Sequence, residues 1–167
     1  LGYPVAYLSP NNDCVITAEV LRRVISDKTR LVSVMFANNE IGTVQPVKDL
    51  CAVSHSHNAI FHTDAVQAVG HIPIDVKSLG VDMLSASAHK FNGPKGIGFV
   101  YIRSGVRITP YADGGAQEKM HRAGTENIAA IVGMATALKQ NCEKINENAT
   151  YVGNLETALL NRLIGHD

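Results

Sequence analysis

Short apolar runs alternate with polar clusters along most of the chain. The runs are rich in β-branched and aromatic residues, and they predict strands at 5–8, 31–36, 59–63, 81–86 and 98–102. The run at 31–36 is almost continuously apolar. Such a run is typical of a central strand of a parallel sheet, buried on both faces.

Helical patterns fill most of the intervals between these runs. Apolar spacing predicts helices at 17–25, 46–57, 126–146 and 151–163, with shorter helical turns at 65–69 and 73–79. Thr17 suits an N-cap, and Asn58 and Gly80 suit helix ends. One face of the helix at 126–146 is expected to carry Ile128, Ile131, Val132, Ala135 and Leu138. Strands that alternate with helices predict an α/β fold, with a mostly parallel sheet covered by helices.

The composition is that of a globular protein. With 167 residues, the chain makes one domain or a large part of one. Fifteen basic residues balance fifteen acidic ones, which gives no indication of a nucleic-acid partner. No apolar run reaches the ~20 residues of a membrane span, and no basic leader opens the chain. Three scattered cysteines (Cys14, Cys51 and Cys142) predict a reducing compartment, the cytoplasm, and no disulfide framework.

Polar residues follow three of the predicted strands. Asn38 and Asn39 come after 31–36, Asp64 after 59–63, and the residues from Ser87 to Lys90 after 81–86. In open α/β sheets the working site gathers outside the carboxyl ends of the strands. The sequence therefore predicts one site built from all three strand ends.

The segment 85–96 carries the strongest candidate chemistry. It runs from small and hydroxylated residues through His89 and Lys90 into Gly93 and Pro94. A lysine at the end of a buried strand is unusual, because burial disfavours its charged form. An amine whose pKa is lowered in this way suits a Schiff base with a carbonyl cofactor.

Pyridoxal 5′-phosphate (PLP) is such a cofactor. It needs a lysine, an acid beside its pyridine nitrogen and donors for its phosphate. Lys90 can supply the first and Asp64 the second, while Ser87 and His89 can bind the phosphate. Gln67 follows Asp64 by three residues and can reach the ring hydroxyl if the chain is helical there.

Several candidate residues also have plain structural interpretations. Asp64 suits a helix N-cap equally well. His55 and His57, near a helix end, favour a solvated pair over a metal site, which needs defined ligands and supporting contacts, so no metal is predicted. Cys51 lies beside apolar neighbours and is expected to be in the core or partly buried.

Four motifs occur in order, at 37–46 (ANNEIGTVQP), 62–67 (HTDAVQ), 87–96 (SAHKFNGPKG) and 122–127 (RAGTEN). Together they resemble the class V aminotransferase-type PLP enzymes, above all the cysteine desulfurases of the NifS/IscS kind. The resemblance extends from about residue 17 to residue 138. It implies the large domain of a PLP-dependent transferase of type I fold.

The resemblance also implies a role for each matching residue. The lysine that matches Lys90 holds PLP and moves the Cα proton of the substrate. The aspartate that matches Asp64 pairs with the pyridine nitrogen, and the glutamine that matches Gln67 contacts the ring oxygen.

The remaining matches concern the phosphate and the substrate. Ser87 and His89 match phosphate ligands, and Asn39 matches a residue near the ring oxygen and the substrate carboxylate. Thr125 matches a threonine that reaches the phosphate of the neighbouring subunit, so the implied active site is shared across a homodimer.

Members of this family are longer than 167 residues. The resemblance therefore implies that residues 1–167 are the central part of a large domain, without the N-terminal segment and the C-terminal small domain. The family's sulfur-accepting cysteine has no match here, so this chain alone is expected to be incomplete and inactive. The implied partners are L-cysteine, a second copy of the chain and a sulfur-acceptor protein of iron–sulfur cluster assembly or tRNA thiolation; no nucleic acid or membrane is expected.

Two alternatives share much of this pattern. A selenocysteine lyase, or another class V enzyme, would use Lys90 and Asp64 in the same way. Under the second alternative, the chain is a dimerising fragment without catalytic activity. The motifs at 37–46 and 122–127 favour the desulfurase.

Overall fold

A four-stranded sheet forms the centre of the computed structural model, which describes residues 2–164. Its strands lie side by side in chain order: β1 Leu31–Met35, β2 Ile60–Asp64, β3 Met83–Ser87 and β4 Gly98–Ile102. β1, β2 and β3 are parallel, and β4 returns antiparallel beside β3. The prediction of a mostly parallel α/β sheet is confirmed.

Five α-helices accompany the sheet within the described residues: α1 Ala18–Val24, α2 Val47–Ser56, α3 Val76–Leu79, α4 Ile128–Glu143 and α5 Ile145–Leu163. Thr17 caps α1 as predicted, since its hydroxyl accepts a hydrogen bond from the amide of Val20 at 3.3 Å. Gly80 ends α3 with φ 77°, a conformation that glycine adopts at little steric cost. Of the predicted shorter segments, 65–69 forms a hydrogen-bonded turn, in which the amides of Ala68 and Val69 both bind the carbonyl of Ala65.

The core lies on one face of the sheet. Val32, Val34, Phe61 and Leu84 are buried against the helices, whereas the alternate strand positions are half-buried or exposed. β1 is an edge strand of the described sheet, and Leu31 is 56% exposed. The expectation that 31–36 is a central strand buried on both faces is therefore wrong, because in the described chain helices cover only one side.

The predicted strand at 5–8 is also wrong. Residues 5–8 form no regular structure, and Val5 and Tyr7 are 70% and 90% exposed. A strand needs a neighbour for its backbone hydrogen bonds, and the described chain pairs none with this segment.

The two long helices are nearly continuous, and α5 has no buried residue. The expected apolar face of α4 is only partly correct: Ile128 and Val132 are exposed, and the buried residues of this helix are Ala137 and Asn141. Of the helices in residues 2–164, none is long and apolar enough to cross a lipid bilayer.

Candidate active site

The register of the sheet aligns the three predicted strand ends. Asp64 on β2 pairs with Met35 on β1 and with Ser85 on β3. Just beyond the pairs, the amide of Phe36 donates to the carbonyl of Asp64 at 2.8 Å, and the amide of Ala65 donates to the carbonyl of Ser85 at 2.9 Å. The backbone at Asp64 is thus held by both neighbouring strands. The polar segments after β1, β2 and β3 leave the sheet side by side, at the carboxyl ends of these strands.

Asp64 is partly buried and shapes the turn that follows it. Its Oδ1 accepts a hydrogen bond from the amide of Val66 at 3.0 Å, so the carboxylate caps the turn as the sequence allowed. Its second oxygen has no hydrogen-bond partner within residues 2–164, and neither has the side chain of Gln67. Asp64 is the last residue of β2 and Gln67 lies in the turn that follows, so both groups lie at the carboxyl ends of the parallel strands.

Ser87, His89 and Lys90 lie where β3 passes into a single 3₁₀ turn, Ala88–Phe91. Ala88 and Phe91 are buried at the two ends of that turn, so the residues between them, His89 and Lys90, are exposed. The expectation of a buried lysine is wrong for the described chain. The physical reason is local, because a four-residue turn that buries its first and last side chains turns the middle two outward.

Asn39 and Thr125 lie in loops. Asn38 holds the turn after β1, because its Oδ1 accepts hydrogen bonds from the amides of Glu40 and Ile41. Asn39 is exposed, and its side chain makes no hydrogen bond within residues 2–164. Thr125 is exposed in the loop before α4. Among the described residues, no hydrogen bond joins Thr125 to the strand ends that carry the other candidates.

His62 forms a polar bridge that the sequence did not reveal. Its Nδ1 lies 2.8 Å from the hydroxyl of Ser33 on β1, and its Nε2 lies 3.2 Å from the hydroxyl of Ser85 on β3. The bridge ties three strands together on the face that also carries Asp64. Burial lowers the pKa of His62, and the nearby Asp64 carboxylate opposes this in part.

The lowered pKa of His62 predicts a loss of stability in acid. The unfolded imidazole, with a pKa near 6.5, takes up its proton more readily than the folded one. The contribution of His62 to stability is therefore present above that pKa and is lost as the pH falls below it. We expect His62→Asn, whose amide keeps a donor and an acceptor but does not titrate, to flatten the loss between pH 7 and pH 5. Urea unfolding at several pH values measures this, and parallel profiles for the two proteins would contradict it.

A second polar cluster lies at the opposite end of the strands. The Nε2 of His55 on α2 donates to Oδ2 of Asp82 at 2.8 Å, and the amide of Phe61 donates to the same oxygen at 2.7 Å. Arg103, just after β4, forms an ion pair with Oδ1 of Asp82. That oxygen is buried and accepts no hydrogen bond of good geometry within the described chain, so Arg103 compensates its charge without fully satisfying it.

The histidines near the end of α2 are therefore not a solvated pair. His55 binds the buried Asp82, and His57 pairs with the exposed Asp27 at 2.9 Å. Across residues 2–164, no group of three or more His, Cys, Asp or Glu side chains is arranged to hold a metal ion.

Cys51 is buried beside this cluster, as expected. Its thiol donates to the carbonyl of Gly80 at 3.0 Å. Burial, together with the negative charge of Asp82, raises the pKa of Cys51 to about 11. Because the thiolate is the nucleophile, this cysteine is a poor one at neutral pH.

Native-state alkylation tests this assignment. At pH 8 a thiol of pKa about 11 is ionised in only about one molecule in a thousand. We expect iodoacetamide to modify the exposed Cys14 and Cys142 in the folded protein, and Cys51 only after unfolding. Peptide mass spectrometry with and without urea reads all three sites, and the two exposed cysteines are internal controls. Modification of native Cys51 at the rate of Cys14 would show that its burial is not maintained in solution.

The side chains at the carboxyl ends of β2 and β3 suit a ring aldehyde that carries a phosphate. The hydroxyl of Ser87 ends β3, and an imidazole and an amine follow it, while the carboxylate of Asp64 ends β2 and the amide of Gln67 follows it. Apart from one oxygen of Asp64, none of these side chains has a hydrogen-bond partner in the part of the chain that the structure describes. PLP offers a complementary partner for each of them: a carbonyl carbon, a basic nitrogen, a ring oxygen and a dianion.

Comparison with known proteins decides the family. The model of the family described as aminotransferase class-V matches residues 1–164. The chain belongs to this family. Among curated relatives, the cysteine desulfurase IscS of Methanosarcina thermophila is 47% identical over 163 residues, which make up 98% of this chain and 40% of that protein. The cysteine desulfurase IscS of Dictyoglomus turgidum is 49% identical over 139 residues, 83% of this chain and 35% of that protein.

Solved structures confirm the fold. A structure described as a NifS-like protein matches 98% of this chain and 46% of its own with TM-score 0.94 and 42% identity. One described as SspA in complex with cysteine matches 83% of this chain and 40% of its own with TM-score 0.80 and 41% identity. The chain therefore spans less than half the length of these relatives.

Proposed function

We propose that the protein to which this chain belongs is a PLP-dependent cysteine desulfurase. The observation that carries the proposal is the register that places Asp64 beside the ends of β1 and β3, with the exposed Lys90 five residues past Ser85. The curated relatives named cysteine desulfurase support the choice of reaction. We also propose that residues 1–167 form the central part of the cofactor-binding domain.

Lys90 is the proposed catalytic residue. When bound, PLP supplies an electron sink that makes the Cα proton of an amino acid acidic. Lys90 would hold the cofactor through its Nζ and would carry the Cα proton of the substrate at the same atom. Its exposure and lack of hydrogen-bond partners within residues 2–164 suit an amine that must serve both purposes in turn.

The groups after β2 are proposed to hold the ring. Asp64 keeps a proton on the pyridine nitrogen through its carboxylate, one oxygen of which is already fixed by the amide of Val66. Gln67 donates to the ring oxygen. Asn39, in the turn after β1, orients the ring oxygen and the substrate carboxylate.

The phosphate is proposed to lie against Ser87 and His89, whose hydroxyl and imidazole follow the end of β3. Thr125 is proposed to reach the phosphate of a second subunit. Its exposed position before α4, next to the exposed apolar residues Ile128 and Val132, supports a homodimer that covers this surface. Light scattering of the full-length protein measures the proposed dimer.

The sulfur-accepting thiol is proposed to lie outside these 167 residues. Of the cysteines here, Cys51 is buried with a raised pKa, and Cys14 and Cys142 fall outside the polar strand ends. The proposed reaction converts L-cysteine to L-alanine and leaves its sulfur as a persulfide on that thiol. A sulfur-acceptor protein of the cytoplasm would then take the sulfur for iron–sulfur clusters or tRNA thiolation.

The test compares the full-length protein with residues 1–167, each incubated with PLP and L-cysteine. We expect the full-length protein to form alanine and sulfide in equal amounts in the presence of a reductant, and the 167-residue chain to form neither. Selenocysteine as a parallel substrate separates a desulfurase from a lyase specific for selenium. Failure of the full-length protein to release alanine from cysteine would refute the proposed reaction.

A further inference from the structure

The carbonyls at the end of the 3₁₀ turn Ala88–Phe91 are held by side chains from two distant segments. The last carbonyls of any helical turn lack partners within the turn. Here the Nε2–H of His71 donates to the carbonyl of Lys90 at 2.8 Å, and Nδ2 of Asn141 donates to the carbonyl of Phe91 at 2.8 Å. The carbonyls of two consecutive residues, Lys90 and Phe91, are thus each held by a side chain from a different part of the chain.

Asn141 is fully engaged in this contact. It is 9% exposed, on the inner face of α4. Besides the bond to Phe91, its amide nitrogen donates to the carbonyl of Ala137 at 2.8 Å, and its Oδ1 accepts from the side chain of Asn92 at 3.2 Å. Asn92 ends the turn in the left-handed region with φ 63°. A side chain with two donors and an acceptor is required here, which leucine or aspartate cannot replace.

Close packing leaves the turn little room to shift. A Cβ on Gly70 would lie 2.8 Å from Cβ of Phe91, and a Cβ on Gly133 of α4 would lie 2.9 Å from Cγ of Pro94. The segment from Phe91 to Pro94 is therefore pressed against α4 and against the chain beside His71. The backbone of the turn is fixed while the side chain of Lys90 remains exposed.

We propose that His71 and Asn141 are positioning residues for Lys90. They hold its peptide in place, so that the amine approaches the cofactor from one direction while its side chain moves between attachment and proton transfer. This inference rests on the proposed role of Lys90. Catalytic groups need such support, because a displacement of about 1 Å can cost on the order of 10²-fold in rate.

His71 offers the sharper test, because it is exposed and its variants should fold. In the full-length protein, His71→Gln places an amide donor near the position of Nε2, whereas His71→Phe keeps a ring without a donor. We expect His71→Phe to slow the appearance of the visible band of lysine-linked PLP about tenfold and His71→Gln to stay within about twofold of the original protein. The pH midpoint of that band should shift in His71→Phe and be restored in His71→Gln.

A second measurement uses the cofactor-free protein. The amides of Asn92 and Gly93 donate to the carbonyl of Ala88, and their hydrogen exchange reports opening of the turn. If His71 positions Lys90, then His71→Phe shows both faster hydrogen exchange at these amides and slower attachment of PLP. Faster exchange with normal attachment would make His71 a simple cap, and unchanged exchange would show that it does not hold the turn; either result overturns the inference. If the original protein attaches no PLP at all, the proposed function fails as well, so the two failures are distinguishable.

Discussion

Replacing Lys90 with alanine in the full-length protein should abolish both the visible absorbance of lysine-linked PLP and the release of alanine from cysteine. The proposed site assigns cofactor attachment and proton transfer to the same amine. General acid–base catalysis alone contributes about 10²–10⁴-fold, so turnover should fall by at least that factor. Absorbance spectra with added PLP and an alanine assay measure the two losses separately.

Lys95 supplies a matched control. It lies in the same Gly/Pro-rich segment and is exposed like Lys90, but it belongs to the turn before β4 and not to the 3₁₀ turn. Lys95→Ala should keep the absorbance band and the turnover. A band that survives in Lys90→Ala, or disappears in Lys95→Ala, would show that another lysine holds the cofactor.

The architecture could be predicted because each of its parts has a local signal. Each of the strands β1 to β4 coincides with an apolar run bounded by turn residues, and the helices α2 and α3 fall in the intervals between the parallel strands. In a parallel sheet the carboxyl ends of successive strands lie side by side, so the sequence alone predicts that Asp64 and the segment after Ser85 are close together.

The polar contacts that support the site have no local signal. Asn141 binds a carbonyl fifty residues away, and His71 reaches the backbone of Lys90 from another turn. The signal in the sequence is Asn141 itself, a polar residue that lies one helical turn after Ala137 on the buried side of α4. Periodicity alone placed the apolar face around Ile128 and Val132 instead, both of which are exposed.

Burial was likewise misjudged for β1, where it depends on distant chain, and for Lys90, where it depends on the turn that carries the lysine. The apolar run of β1 predicted a strand covered on both faces, and the position of Lys90 after β3 predicted a buried amine. In the described chain β1 is an edge strand and Lys90 is exposed. A hydrophobic pattern shows which residues can be buried, but the partners that bury them are not encoded in the pattern itself.

Asp82 should matter more for stability than Asp64 or Asp27. It is 1% exposed, and it connects α2, β2 and the end of β4 through His55, the amide of Phe61 and Arg103. Removing one partner of a buried charge network leaves the others unsatisfied, at a cost of about 3–5 kcal/mol. The half-exposed side chain of Arg103 can recover some hydration, so we expect Asp82→Ala to lower the free energy of unfolding by about 3 kcal/mol.

The pair of Asp27 and His57 provides the contrast, because it has the same chemistry at the surface. The side chain of Asp27 is 91% exposed, and exposed pairs of this kind contribute about 0–1 kcal/mol, so Asp27→Ala should be nearly neutral. Hydrogen exchange at the amide of Phe61, which donates to Asp82, measures the loss directly within this chain. Equal effects of the two substitutions would mean that water reaches Asp82, and the cluster at the amino ends of the strands would then not anchor the sheet that carries Asp64.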